Sequence, residues 1–84
     1  MIIFSQNKDE IFNFDNSSRV HLEETTFGEY EVIISTVIKG SNAVKIGVYK
    51  DKDSAKTVLR NMVSCVQSNK DVFYMPDYDG FMER

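Results

Sequence analysis

Gly47-Val48-Tyr49-Lys50-Asp51-Lys52-Asp53-Ser54-Ala55-Lys56-Thr57-Val58-Leu59-Arg60-Asn61-Met62-Val63 is the stretch on which the fold turns. It reads as the end of a strand, a capped turn and the one convincing helix of the chain. Asp51 is a good N-cap, because its carboxylate can accept from the backbone N–H of Asp53 or Ser54. Asp53 adds negative charge at the positive end of the helix dipole. Ala55, Val58, Leu59, Met62, Val63 and Val66 then recur at helical spacing and form one apolar stripe. Lys56, Arg60, Asn61, Ser64 and Gln67 fall on the opposite side or its flanks. Asn69 can take the left-handed conformation that ends such a helix, so the spacing predicts a helix over 52–68.

Outward from the helix, the pattern switches to the period of two that marks strands. Upstream, Ala43 to Tyr49 reads as a strand with Val44, Ile46 and Val48 inward and Gly47 opposite, where a glycine permits a bulge or a close approach. Lys39-Gly40-Ser41-Asn42 is a hairpin turn, preceded by the longest strand, 30–38. Tyr30, Val32, Ile34, Thr36 and Ile38 share one of its faces; Ile33 and Val37 lie on the other with Glu31 and Ser35. Residues 19–23 alternate, with Val20 and Leu22 one way and Arg19, His21 and Glu23 the other. Residues 1–4 and 10–14 form a first hairpin around Ser5-Gln6-Asn7-Lys8-Asp9. Phe12 and Phe14 share a face there, and Asp15-Asn16-Ser17-Ser18 is the next turn. Beyond the helix, residues 71–75 read as a last strand stopped by Pro76, and 76–84 as an extended tail. The whole, 1–84, reads as one α+β domain: an antiparallel meander sheet of five to six strands with one helix on one face.

Composition narrows the function by exclusion. Eighty-four residues, 42% apolar and 27% charged, suit a small soluble globular domain. A chain of this size buries about 60–65% of its unfolded surface, so its core is thin. One cysteine, Cys65, leaves no internal disulfide, and no charged leader with a long apolar run opens the chain. Both point to a cytoplasmic setting. No apolar run approaches the roughly 18–20 residues that span a bilayer. The net charge of −3 is uneven: residues 1–48 and 71–84 carry −3 each, and 49–70 carry +3.

The residues also carry a resemblance. Ile3-Phe4-Ser5-Gln6-Asn7, Ile11-Phe12-Asn13-Phe14-Asp15, Gly47-Val48-Tyr49 and the run from Asp51 to Leu59 resemble small uncharacterised proteins of Gram-positive bacteria and their phages and mobile elements. The likeness covers most of the chain except the loop at Thr25-Thr26 and the tail after Pro76. It implies a small cytoplasmic protein and carries over no catalytic or binding residue.

Candidate chemistry is sparse. A Cys–His pair needs both side chains within hydrogen-bond reach. His21 belongs to the polar face of its strand and Cys65 to the edge of the helix stripe, so they read as a solvated residue and a packed thiol. One His and one Cys do not make a structural zinc set. Asp77-Tyr78-Asp79-Gly80 with Glu83 is a fragment of a calcium loop without its first Asp and last Glu. Phe12, Tyr30, Tyr49, Phe73 and Tyr74 read as core rather than as a base-stacking platform, because the strands around them are acidic. No catalytic residue, metal ligand, cofactor or small-molecule ligand is implied.

What remains is surface. One helix covers one face of a sheet, which leaves Ile3, Ile33 and Val37 on the other. With Tyr78, Phe81 and Met82 of the tail they form a candidate interface with another protein or a second copy. The expected function is therefore a non-enzymatic interaction or assembly module. The alternative is a nucleic-acid accessory protein using Lys52, Lys56, Arg60 and Lys70 on the outer side of the helix.

Overall fold

The helix α1 (Lys52–Gln67) begins where its cap predicts. Asp51 accepts from the Ser54 backbone N–H at 2.8 Å, and that bond holds the Asp51 carboxyl below the usual carboxylate range. At the other end Asn69 has φ 55°. The Lys70 N–H donates to the Cys65 carbonyl at 3.0 Å and the Asn69 N–H to the Val66 carbonyl at 3.2 Å. These are the two bonds of a Schellman close.

The computed structural model describes residues 1–36 and 42–78. Its strands are β1 (Ile2–Phe4), β2 (Ile11–Asn13), β3 (Ser17–Glu24), β4 (Tyr30–Thr36), β5 (Asn42–Tyr49) and, after α1, β6 (Val72–Tyr74). A single 3₁₀ turn, Phe14–Asn16, joins β2 to β3. The class is α+β, but the single meander is corrected to two three-stranded sheets, ordered β2-β1-β6 and β3-β4-β5. The reason is the helix. A crossover through α1 lets β6 run parallel to β1, pairing Ile3 with Phe73, whereas a hairpin can join only antiparallel neighbours. The Lys39-Gly40-Ser41-Asn42 turn lies almost entirely outside the described residues.

In the second sheet, β4 pairs β3 and β5 in antiparallel register, with Val32 opposite Leu22 and Gly47. The β4–β5 ladder shifts by one residue at Ile46, so Lys45 faces Ile33 while Gly47 faces Val32. This bulge corrects the straight alternation expected of β5. Ile46 stays in the core, Gly47 and Tyr49 turn inward as well, and Val48 goes to the other face beside Glu31. A Cβ on Gly47 would come within 2.9 Å of Met75 Cε and 3.2 Å of the Tyr49 ring, so only glycine fits here without movement.

The core lies between α1 and both sheets. Ile3, Val32, Ile34, Tyr49, Ala55 and Val58 are fully buried, with Ile46, Met62, Phe73 and Met75 nearly so. Each buried Ile, Val, Met or Phe side chain among them contributes about 1.5–3 kcal/mol. Ile3 is thus corrected from surface to core: its face of β1 also carries Phe12 and Phe73 and turns toward α1.

Candidate functional site

Among the described residues two apolar surfaces remain open. The first follows from the helix stripe. Ala55, Val58 and Met62 are buried, but Val63 is 55% and Val66 46% exposed. Val63 sits about 80° round the helix from Ala55, so it flanks the sheet instead of facing it. Val66 lies in the last turn of the stripe. With Phe14, Val20, Leu59 and Met62 these two line a groove of about 650 Å³ between α1 and β3, to which the charged residues Asp15 and Arg19 also contribute.

The groove borders β3, an outer strand of its sheet. The Thr25 N–H donates to the Glu29 carbonyl at 2.8 Å, in register with the Glu23–Glu31, His21–Ile33 and Arg19–Ser35 pairs. Hydrogen-bonded pairs alternate along such a ladder. The backbone groups of Arg19, His21 and Glu23 therefore point at β4. Those of Val20, Leu22 and Glu24 point away from it, where no strand pairs with them among the described residues. Val20 and Leu22 turn their side chains to the core side and are half-buried. Alternation sets Arg19, His21 and Glu23 on the outer face, and Arg19, next to the ladder shift after Ser17, also borders the groove.

The second surface is the outer face of the small sheet. Ile2, Phe4, Ile11, Val72 and Tyr74 share it through their cross-strand pairing. Ile11 is 65% and Tyr74 66% exposed, and the Phe4 and Tyr74 rings meet edge to face at 5.8 Å. An exposed apolar sheet face away from the helix does exist, then, but on β1, β2 and β6 rather than at Ile33 of β4.

The expected interface residues are not brought together. Ile3 is in the core. Ile33 does lie on the outer face of its sheet, yet it is 6% exposed, flanked by its cross-strand neighbours His21 and Lys45. It is corrected from exposed contact to covered residue. Tyr78 is half-buried. Val37, Phe81 and Met82 lie outside the described residues. Lys52, Lys56 and Arg60 are exposed on the solvent side of α1, and Lys70 is exposed beyond its end.

His21 and Cys65 are separated by a sheet. His21 lies on the outer face of β3, with Nε2 2.9 Å from Glu23 Oε2 and Nδ1 buried without a partner among the described residues. Cys65 is half-buried on α1, against the core. Among the described residues no group of three or more His, Cys, Asp or Glu is placed to hold a metal, and no helix is long and apolar enough to cross a membrane.

One polar cluster escaped the reading of the sequence. Gln6, in the first turn, reaches the free edge of β5, 42 residues away. Its N–H donates to the Ile46 carbonyl at 3.0 Å. Its side-chain amide accepts from the Val48 N–H at 2.9 Å and donates to the Val48 carbonyl at 2.8 Å. It also donates to the Pro76 carbonyl at 3.1 Å, where the Tyr49 hydroxyl donates at 2.7 Å. Burial first, and the charge of Asp77 second, push the Tyr49 hydroxyl far above the usual tyrosine range, so it stays a neutral donor. The cluster ties the two sheets together. The sole signal for it was a Gln in a turn otherwise suited to short polar residues. The chain matches no protein-family model, no curated protein and no solved structure.

Proposed function

We propose that this chain is a non-enzymatic protein–protein interaction or assembly module that works through the groove between α1 and β3. The observation that carries the reading is the exposure of Val63 and Val66 on a groove whose other walls are Phe14, Val20, Leu59 and Met62. Contiguous apolar surface of this kind, with charged residues among its lining, marks contact sites in soluble proteins. The cytoplasmic setting read from the single cysteine belongs to the same proposal, as does the likeness to small proteins of Gram-positive bacteria and phages.

The test is solution mass by light scattering over a concentration series, together with capture of protein partners on the immobilised chain. Val63→Lys with Val66→Lys should abolish the assembled species or the capture while thermal unfolding stays near that of the parent. A chain that is monomeric throughout and binds no protein in a Val63- and Val66-dependent way would overturn the reading.

A second reading rests on the exposure of Lys52, Lys56 and Arg60 at four-residue spacing on the solvent side of α1. Nucleic-acid binding through this row would weaken steeply between low and physiological salt and be lost in Lys56→Glu/Arg60→Glu. No binding at low salt sinks it.

A further inference from the structure

We infer that the partner at this groove is a second copy of the chain, joined edge to edge through β3 in antiparallel register about a two-fold axis at His21. The inference rests on the interaction-module reading and goes beyond it by naming the occupant and the register.

The backbone sets the parity. Val20, Leu22 and Glu24 turn their N–H and C=O groups away from β4, so an incoming antiparallel strand must hydrogen-bond at even-numbered residues. A two-fold axis at His21 places Val20 of each copy opposite Leu22 of the other, and these pairs exchange four backbone hydrogen bonds. The side chains agree with that register. On the core side, Val20 meets Leu22 twice, both half-buried in the single chain. On the outer face, Arg19 stands opposite Glu23 twice. Arg19 is exposed, and Glu23 retains 59% of its side-chain exposure while its Oε2 lies 2.9 Å from His21 Nε2 in the single chain, so pairing with Arg19 exchanges that surface contact for one across the axis. Cross-strand pairs of opposite charge and of apolar residues are what stabilise an antiparallel ladder.

Shifting the axis by one residue in either direction keeps the even parity but loses this match. Centred between 22 and 22, the pairing sets Val20 against Glu24 and His21 against Glu23. Centred between 20 and 20, it sets Arg19 against His21. Only the axis at His21 pairs Val20 with Leu22 and Arg19 with Glu23 on both sides, and it sets the two His21 side chains against each other on the axis. The ladder shift between Ser17 and Arg19 bends the strand start and confines the pairing to this segment.

The groove fits the same arrangement. A two-fold axis perpendicular to the sheet puts both helices on one side of a continuous six-stranded sheet. The groove borders β3 in each copy, so the two grooves, with the exposed Val63 and Val66, flank the paired strands on that same side.

The experiment is sedimentation equilibrium and light scattering of the full chain. The expected mass at high concentration is twice 9.7 kDa, about 19 kDa. Arg19→Glu and Glu23→Arg each place like charges at both off-axis pairs and should raise the dimer dissociation constant roughly tenfold or more. The double variant Arg19→Glu/Glu23→Arg restores opposite charges and should recover the parent affinity. In a Cys65→Ser background, His21→Cys should cross-link on addition of oxidised glutathione, because the axis brings that position onto its own copy; Glu24→Cys should not.

A chain that stays monomeric at every concentration overturns the inference. So does a dimer indifferent to Arg19→Glu, or one in which the double variant is no better than either single change. If association falls with Val63→Lys yet ignores the charge series, the β3 register is wrong and the module reading stands. If it falls with Ile11→Lys instead, the interface is the outer face of the small sheet and the β3 pairing is overturned. If no variant alters any association and no partner is captured, both readings fall together.

Discussion

β5 and β3 are the two outer strands of one sheet, eight residues each, and they are finished in opposite ways. The β5 edge is closed from a distance. Its ladder is bent by the Ile46 bulge, and Gln6 then saturates the Ile46 carbonyl and both backbone groups of Val48. The β3 edge has no such cover among the described residues, and its outward groups belong to Val20, Leu22 and Glu24. An unpaired edge is a template for another strand. A chain that commits the half-buried Gln6 amide to one edge and leaves the other open separates two tasks: the β5 side holds the fold together, and the β3 side is available for contact.

That contrast makes substitutions near β5 costly to stability. The largest effect should come from Gly47→Val. The added side chain enters a space already bounded by Met75 Cε and by a Tyr49 ring that Pro76 holds in place. Met75 can swing aside, but the anchored ring cannot without breaking its hydrogen bond. Overpacking of this kind costs roughly 2–3 kcal/mol, measurable by urea unfolding. A loss under 1 kcal/mol would mean that the bulge and its tight contact are not as described.

Gln6→Ala comes next. It strips the side-chain partners from Val48 and one from the Pro76 carbonyl, while the backbone bond to Ile46 remains. Leaving the half-buried Val48 N–H and C=O without them costs about 2 kcal/mol. Hydrogen exchange at the Val48 amide should accelerate by more than the global destabilisation explains, since this edge opens locally. The variant also sharpens the comparison: with both edges open, it should self-associate at lower concentration than the parent. If Val48 exchange is unchanged, the amide does not close the edge.

How legible this was depended on the range of the interaction. The helix, its Asp51 cap, its Asn69 close and the β1–β2 hairpin were readable because each is a contact between residues a few positions apart. The failures are long-range. Gly47 does mark a place for a bulge or a close approach, and both occur there, but the alternation of Val44, Ile46 and Val48 does not show that the faces exchange beyond it, because the partner strand sets the shift. Ile3 was placed on the wrong side because alternation sorts residues into two faces without saying which one meets the helix. Parallel pairing of β6 with β1 joins segments about 70 residues apart. Gln6 looked like any turn residue. Val63 and Val66 are of the same type as the core valines, so the width of the helix stripe gave no sign that part of it would overhang. Ile33 was rightly set apart from Val32 and Ile34, yet its neighbours His21 and Lys45 on other strands decide its exposure.

The smallest effect on the fold should be that of Arg19→Glu, and this is where the two edges can be told apart most directly. Arg19 is exposed, and its side chain points away from the core face of β3. In dilute solution, where the chain is a monomer on either view, charge reversal at such a site should change unfolding stability by less than about 0.5 kcal/mol. At high concentration the same change should lower the apparent unfolding temperature. An assembled native state is stabilised by mass action, and a weaker dimer loses that contribution. Gln6→Ala should behave in the reverse manner, destabilising at every concentration. A concentration series of melting curves on the two variants therefore separates the closed edge from the open one. If Arg19→Glu shifts the melt equally at all concentrations, the outer face of β3 contributes to the monomer fold and the edge is not held in reserve for contact.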